Sequence, residues 1–269
     1  MNKKMMNFEK AIYNLSLNWI NNGVTYGDTL LIHSSIKRTL LNANNKGLKI
    51  KPEHILESFK QAVGPKGTLL FPLFNFDFPK TKFFDLKNTQ SQMGALTEAA
   101  RLDVNSIRTG HPIYSFAVLG HKKNIFQDIN NISGYGEDSP FGFLKKLGGK
   151  IVIIDLEDQN SMTFYHYIEE NHKVNYRHFK EFTGLYVDNY GNMSNRTYKL
   201  FVRKLEDGVK THVNPTGELM WNKGLYKGDR PGIRTGMRII SANVMFDFVS
   251  DIIKNGNAEG MLFKYGRDE

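Results

Sequence analysis

Residues 150–173 read "KIVIIDLEDQNSMTFYHYIEENHK". The first seven, "KIVIIDL", form a short apolar run of the length and β-branched content of a buried strand. A polar connection follows, and then a stretch with helical character from residue 161 onward. Strand, short loop and helix make one half of a βα unit. The same grammar recurs toward the N-terminus. "DTLLIHSS" (28–35) and "GTLLFPLFNF" (67–76) read as buried strands, and "KPEHILESFKQAVG" (51–64) as a helix with Pro52 near its first turn and Gly64 at its end. "NFEKAIYNLSLNWINNGV" (7–24) has apolar residues at helical spacing and closes on Gly23. "QMGALTEAARLD" (92–103) is helical, "SFAVLG" (115–120) is a strand, and "SPFGFLKKLGG" (139–149) is a short helix stopped by a glycine pair. Strands alternate with helices, which predicts an α/β fold: a layered mixed sheet flanked by helices.

The pattern changes near residue 182. "TGLYVDNYGNMSNRTYKLFVRKL" (183–205) alternates apolar and polar residues around a "DNYGN" turn, a hairpin signature. "GELMWNKGLYKGDRPGIRTG" (217–236) is Gly-rich and basic and reads as loop. "MRIISANVMFDFVSDIIKNG" (237–256) reads as a strand and a closing amphipathic helix. With no repeat and no low-complexity linker, residues 1–269 read as one domain. Residues 183–240 or so would add antiparallel strands and loops.

The composition bounds the function. The chain has 269 residues, 40% hydrophobic and 23% charged, an ordinary globular balance. It has no cysteine, which removes disulfides, thiolate metal sites and a cysteine nucleophile together. No apolar run approaches the length of a membrane span, and "MNKKMMNFEK" lacks the apolar core of a secretory signal. The expectation is a cytoplasmic enzyme, with no membrane association. The formal net charge of +9 suggests an anionic ligand. Because the basic residues are dispersed, nucleic acid is not the expected partner. A phosphate loop, a G-x-S-x-G elbow and H-E-x-x-H are all absent, and no metal is expected.

Three polar clusters sit where strands and helices meet. In "LIHSSIKR" (31–38) an apolar strand ends abruptly in His33, Ser34 and Ser35, with Lys37 and Arg38 just beyond. Ligands of open α/β sheets bind outside the carboxyl ends of strands, although a Ser-rich cap for the next helix explains the same residues. In "SIRTGHPIYSFAVLG" (106–120), Arg108, Thr109, His111 and Ser115 crowd one loop, as an anion site or as a surface loop with a core histidine. In "YGEDSPFGFL" (135–144), Ser139 is an N-cap before Pro140, with an anion at that helix start as the functional variant. On the helix of the opening stretch, His166 and Glu169 lie at i and i+3 on one face, with Thr163 a turn earlier. Spacing alone fits a solvated face too, and His172 and Glu170 are read that way.

Taken in order, "LIHSSIK", "GTLLFP", "MGALTEAARLDVNSIRTGHPIYSFAVLG", "YGEDSPFGFLKKLGGKIVIID" and "TFYHYIEE" resemble the aminoglycoside 3-N-acetyltransferase family. Met93, Gly94, Glu98 and Arg101 match its M-G-x-x-x-E-x-x-R element. Arg108, His111, Pro112, Ser115 and Phe116 match R-S-x-H-P-x-x-S-F, with Thr109 in place of the usual Ser. Gly136, Ser139 and Pro140 match G-x-x-S-P, and Thr163, His166 and Glu169 match T-x-x-H-x-x-E. The resemblance covers residues 25–175 or so well and the rest weakly.

It implies the fold of that family, acetyl-CoA or another acyl-CoA as co-substrate, and acyl transfer to an amine of an amino sugar without a covalent enzyme intermediate. It also implies that His166 is the general base, which suits an imidazole titrating near neutrality. Glu169 is the matching carboxylate. One helical turn is an awkward span for a direct carboxylate–imidazole bond, so Glu98 is a second candidate for orienting His166. His33, Ser34, Ser35, Lys37, Arg108, Thr109, His111, Ser115, Ser139 and Thr163 would hold the CoA phosphates and pantetheine. The C-terminal third departs from the family's name-giving substrate, since "NKGLYKGDRPGIRTGMR" (222–238) is basic and an aminoglycoside is a polycation. A nucleotide-linked amino sugar is therefore a second acceptor, a non-catalytic CoA- or sugar-nucleotide-binding protein is a second class, and a homodimer is left open.

Overall fold

The computed structural model describes residues 3–266. The strands are β1 (Thr29–Ser34), β2 (Thr68–Pro72), β3 (Phe83–Asp85), β4 (Ile107–Arg108), β5 (Phe116–Gly120), β6 (Lys150–Ile154), β7 (Arg177–Val187), β8 (Met193–Arg203), β9 (Val209–Thr211), β10 (Lys227–Gly228), β11 (Met237–Ser241) and β12 (Phe263–Tyr265). The helices are α1 (Lys3–Asn21), α2 (Lys37–Asn45), α3 (Pro52–Val63), α4 (Phe78–Thr81), α5 (Ala95–Leu102), α6 (Lys123–Phe126), α7 (Pro140–Lys146), α8 (Phe164–Asn171), α9 (Asn214–Asn222) and α10 (Ala242–Lys254).

A seven-stranded sheet in the order β10-β11-β6-β1-β2-β5-β4 forms the centre. Its middle strands β6, β1 and β2 are parallel, while β11, β10, β5 and β4 join antiparallel to their neighbours. The mixed α/β layering is as expected. Because side chains alternate along a strand, each central strand feeds both faces. Leu30 and Ile32 of β1 pack in one apolar cluster with Trp19, Phe59 and Ala100 of α1, α3 and α5. Leu31 packs on the opposite face with Leu144, Ile168 and Val249 of α7, α8 and α10. Trp19 stacks on Phe59 with ring centroids 4.8 Å apart, and its Nε1–H donates to Ser58 Oγ, so a large buried indole leaves no polar atom unpaired.

The expected hairpin is β7–β8, its turn held by Asp188, whose carboxylate accepts from the backbone N–H groups of Tyr190 and Asn192. It forms a sheet of its own with β3, which runs parallel to β7. Phe182, Tyr186, Tyr198 and Phe201 sink into the second apolar cluster, which ties this sheet to the main one.

Residues 217–236 depart from the expected loop, since α9 occupies Asn214–Asn222. Pro215 suits its first turn, and Thr216, Gly217 and Met220 face inward. Gly217 looks like a loop residue but serves packing: a Cβ there would stand 2.6 Å from Asp158 Cγ. No helix among the described residues is long and apolar enough to cross a membrane.

Candidate active site

Strands β1 and β6 run side by side and end together, with Ser34 opposite Ile154. Just beyond, the Ser35 N–H donates to the Ile154 carbonyl and holds the two strand ends in register. Ser34 closes β1, and the connection after β6 leads through Ser161 and Thr163 into α8. His33, Ser34, Met93, Ser161, Thr163 and His166 line a cavity of about 400 Å³ at these ends. A second cavity, of about 560 Å³, lies against the β7–β8 hairpin and is lined by Tyr135, His166, Arg177, His178, Lys180 and Arg203. Gln159, His166 and Thr211 border both, so His166 stands where the two meet.

The surroundings of His166 determine its chemistry. Nδ1 lies 2.7 Å from Glu169 Oε2, and the Glu169 side chain is 1% exposed. Arg177 lies 2.8 Å from the same carboxylate oxygen through Nε, and the Tyr176 hydroxyl donates to the other oxygen at 3.1 Å. A buried carboxylate is tolerable only when paired in this way. Arg177 Nη2 is also 2.8 Å from His166 Nδ1. Nδ1 cannot both donate to Glu169 and accept from Arg177. An unprotonated Nδ1 would turn its lone pair on an anionic oxygen, so we assign the proton to Nδ1, donated to Glu169. Nε2 then carries the free lone pair, and it has no hydrogen-bond partner among the described residues. Burial by itself would push the Glu169 carboxyl up, but Arg177, His166 and Tyr176 outweigh it and hold the group below the ordinary glutamate range. Burial pulls the His166 imidazole below its ordinary value, the Arg177 charge adds to this, and Glu169 opposes it. His166 is therefore neutral at pH 7, as a proton acceptor must be.

The direct His166–Glu169 bond corrects the expectation that one helical turn is too awkward. It also removes Glu98 as the orienting group. The Glu98 carboxylate accepts from Arg101 through two nitrogens and from the Ser91 N–H. That set knits α5 to the segment before it and leaves nothing for His166.

The residues expected to hold CoA divide into two groups. His33, Ser34 and Thr163 line the first cavity. Burial pushes the His33 imidazole down to about 3, and its Nε2 has no partner among the described residues. The others do not reach either cavity. Ser35 holds the strand end, and Lys37 begins α2 on the surface. Thr109 Oγ1 accepts from the Phe116 N–H, and Ser115 Oγ donates to the Leu73 carbonyl while accepting from Arg108 Nε. His111 is fully buried, and its Nδ1 accepts from the backbone of Ile113 and Tyr114. Arg108 donates to the carbonyls of Leu86 and Thr89 and lines a separate cavity with Lys87, Arg101 and Lys123. Ser139 is the N-cap of α7, accepting from Gly142 N–H. These polar groups satisfy buried backbone donors and acceptors where a loop turns under the sheet. A hydroxyl spent on a buried backbone bond reads the same in sequence as one aimed at a ligand.

Two partnerships had no sequence signal. Arg177, eleven residues after His166, closes on Glu169 because β7 begins at residue 177, ahead of the alternating stretch that marks the hairpin. Asp158 sits among three acidic residues of "DLED" (155–158), and nothing local marks it out. Its Oδ2 accepts from the hydroxyls of Tyr165 and Tyr226, both at 2.8 Å, and its Oδ1 from Arg238 at 2.7 Å, all buried beside the first cavity.

The basic C-terminal segment is also corrected. Arg230 pairs with Glu218, Arg234 with Asp229 and Arg238 with Asp158. Asp155 receives Arg38 through two nitrogens and also the Gly232 N–H. Arg230, with Arg38 and Asp155, ties the loop 229–236 to the body, and each of the three arginines at 230, 234 and 238 has a carboxylate partner, so their charge does not argue for an anionic acceptor.

The model of the aminoglycoside 3-N-acetyltransferase family matches residues 31–254. Aminoglycoside N(3)-acetyltransferase VII of Streptomyces paromomycinus is 26% identical over 167 residues, covering 55% of this chain and 56% of that protein. Aminoglycoside N(3)-acetyltransferase IV of Salmonella sp. is 27% identical over 164 residues, covering 58% of each. The chain thus spans little more than half the length of these curated relatives. Among solved structures, AAC-IIIb with CoASH superposes with a TM-score of 0.77 at 19% identity, over 96% of this chain and 98% of that one. The YokD protein from Bacillus subtilis gives a TM-score of 0.72 at 19% identity, over 92% and 94%. At such identities the superpositions speak for the fold, and the family model, which spans most of the sequence, speaks for descent: the chain belongs to the aminoglycoside 3-N-acetyltransferase family.

Proposed function

We propose that the protein transfers an acetyl or other short acyl group from acyl-CoA to an amine of an amino sugar, with His166 as general base. The observation that carries this reading is the position of His166, half-buried, bonded to the buried Glu169 and standing where two cavities meet. One cavity can hold the thioester and the other the amine. The amine nitrogen attacks the thioester carbonyl, and the C–N bond forms as His166 Nε2 takes the nitrogen's proton. Glu169 stabilises the imidazolium so produced through the Nδ1–H bond. The tetrahedral oxyanion needs donors, and the hydroxyls of Ser34 and Thr163 line the first cavity. Collapse breaks the C–S bond, and the departing CoA thiolate takes the proton held by the His166 imidazolium, leaving amide, free CoA and a neutral His166. Family membership supports an aminoglycoside as one acceptor.

The test is thiol release from acetyl-CoA in the presence of amino sugars, with His166→Ala as the variant. General-base catalysis is worth roughly 10²–10⁴-fold, so kcat should fall by that factor while CoA binding, measured by calorimetry, persists. A variant that keeps the wild-type rate refutes the base assignment. A wild type that binds CoA and turns over no amine points instead to a non-catalytic binding protein.

A further inference from the structure

The two cavities flanking His166 differ in charge. The first holds hydroxyls, an apolar wall of Phe74, Phe76 and Met93, and one carboxyl group, Asp158, already matched by Arg238. It carries no lysine or arginine. The second is lined by Arg177, Lys180 and Arg203, with Glu206 as its one carboxylate. Arg177 is neutralised by Glu169. Lys180 and Arg203 have no carboxylate partner among the described residues.

The sheet register makes Arg203 stand out. It is paired directly across the β7–β8 ladder from Arg177. Like charges opposite one another on a sheet are destabilising, and elsewhere in this ladder Glu181 faces Lys199, the favourable arrangement. Glu169 offsets one member of the arginine pair and leaves the other open. Arg203 is also near enough to His166 to lower its affinity for a proton. A polycation entering here would meet the unpaired guanidinium of Arg203 beside Arg177, with Lys180 at another wall of the same cavity, whereas an anion would supply the missing partner.

We infer that the hairpin cavity seats the acceptor by an anionic group, a phosphate or carboxylate carried on the amine, held by Arg203 and Lys180, so that the preferred acceptor is an anionic amine and not a polycationic one. The inference rests on the acyltransferase reading and names its acceptor class. Arginine suits the task, since its planar fork engages phosphate or carboxylate in a bidentate manner. The donor thioester then lies in the hydroxyl-lined cavity at the strand ends, where the His33 Nε2 lacks a partner.

The experiment compares a matched pair, glucosamine and glucosamine 6-phosphate, with kanamycin as the polycation, at saturating acetyl-CoA. The phosphate-bearing sugar should be preferred over glucosamine by roughly ten- to a hundredfold in kcat/KM, the worth of a charge-assisted hydrogen bond or two. Arg203→Gln and Lys180→Gln should erase that preference through the KM for the amine and leave the KM for acetyl-CoA unchanged. Inorganic phosphate should compete with the amine and not with acetyl-CoA. If the variants raise the KM for acetyl-CoA instead, the cavity holds the donor's phosphates and the inference falls. It falls equally if the wild type acetylates kanamycin or plain glucosamine as well as the phosphorylated sugar. Failure to acetylate any amine would overturn the transferase reading itself, a result distinguishable from the other two.

Discussion

His111 occupies a motif position expected to serve CoA, yet its environment predicts a different experiment. It is fully buried, its Nδ1 accepts from two backbone N–H groups, and its ring meets Tyr198 edge-on at 5.2 Å. Burial pushes the imidazole down from 6.5 to about 3. A base with a depressed folded value binds protons more readily in the unfolded chain. Its contribution to stability is therefore whole above pH 6.5 and is lost as the pH falls from 6.5 toward 3. At pH 5.0 the gap is about 1.5 pH units, so this one group should remove about 2 kcal/mol relative to neutral pH. For a chain of this size, with a urea m-value of roughly 3 kcal/mol per molar, that is a midpoint shift of about 0.7 M. Other groups titrate over the same range, so the comparison is between wild type and His111→Asn. Asparagine keeps a side-chain acceptor for the backbone and does not titrate. The variant should be less stable at pH 7.5, since it loses ring packing, but its loss between pH 7.5 and 5.0 should be smaller than that of wild type by about 2 kcal/mol. Urea unfolding followed by tryptophan fluorescence at both pH values measures this. Equal pH dependence in the two proteins would refute the burial argument. An unchanged KM for acetyl-CoA is the companion expectation, and a raised one would return His111 to the CoA site.

Two further outcomes test the site. Glu169→Gln removes the negative charge that favours the imidazolium, so the acid limb of the kcat/KM–pH profile should move to lower pH and kcat should fall by roughly ten- to a hundredfold. A limb that moves upward contradicts the argument that the Glu169 charge favours the imidazolium. Arg238→Met leaves the Asp158 carboxylate buried with two tyrosine hydroxyls and no cation, which should cost roughly 3–5 kcal/mol in urea unfolding. Adding Asp158→Asn should recover part of that loss, and a double variant no better than the single one would show that the pair's charges are not the source.

Much of the fold is legible in the amino-acid order because it follows from local rules. The apolar runs at 29–34, 68–72, 116–120 and 150–154 are strands because β-branched and large apolar side chains suit a surface covered on both faces. Glycine and proline mark the ends of α3 and α7 for reasons internal to each segment. The His166–Glu169 spacing belongs in the same class, since a helix puts i and i+3 on one face wherever it occurs.

What the local pattern leaves open is which polar side chain is spent on the fold and which is free for chemistry. Thr109, His111, Ser115 and Ser139 belong to the same ordered set of motifs as His33 and Thr163, yet the first four satisfy buried backbone groups and the last two line a cavity. Glu98 and Glu169 are both carboxylates on a helix, and only the packing of α8 against β7 brings Arg177 and Tyr176 to the second. The arginines at 230, 234 and 238 give the sequence a basic segment, but Glu218, Asp229 and Asp158 cancel them across the loop. Arg203 looks no different from these and keeps its charge. Composition and spacing determine which elements form and which side chains share a face. The partners that switch a charge on or off lie across the fold, because burial and pairing depend on distances that close only when the sheets and helices are packed together.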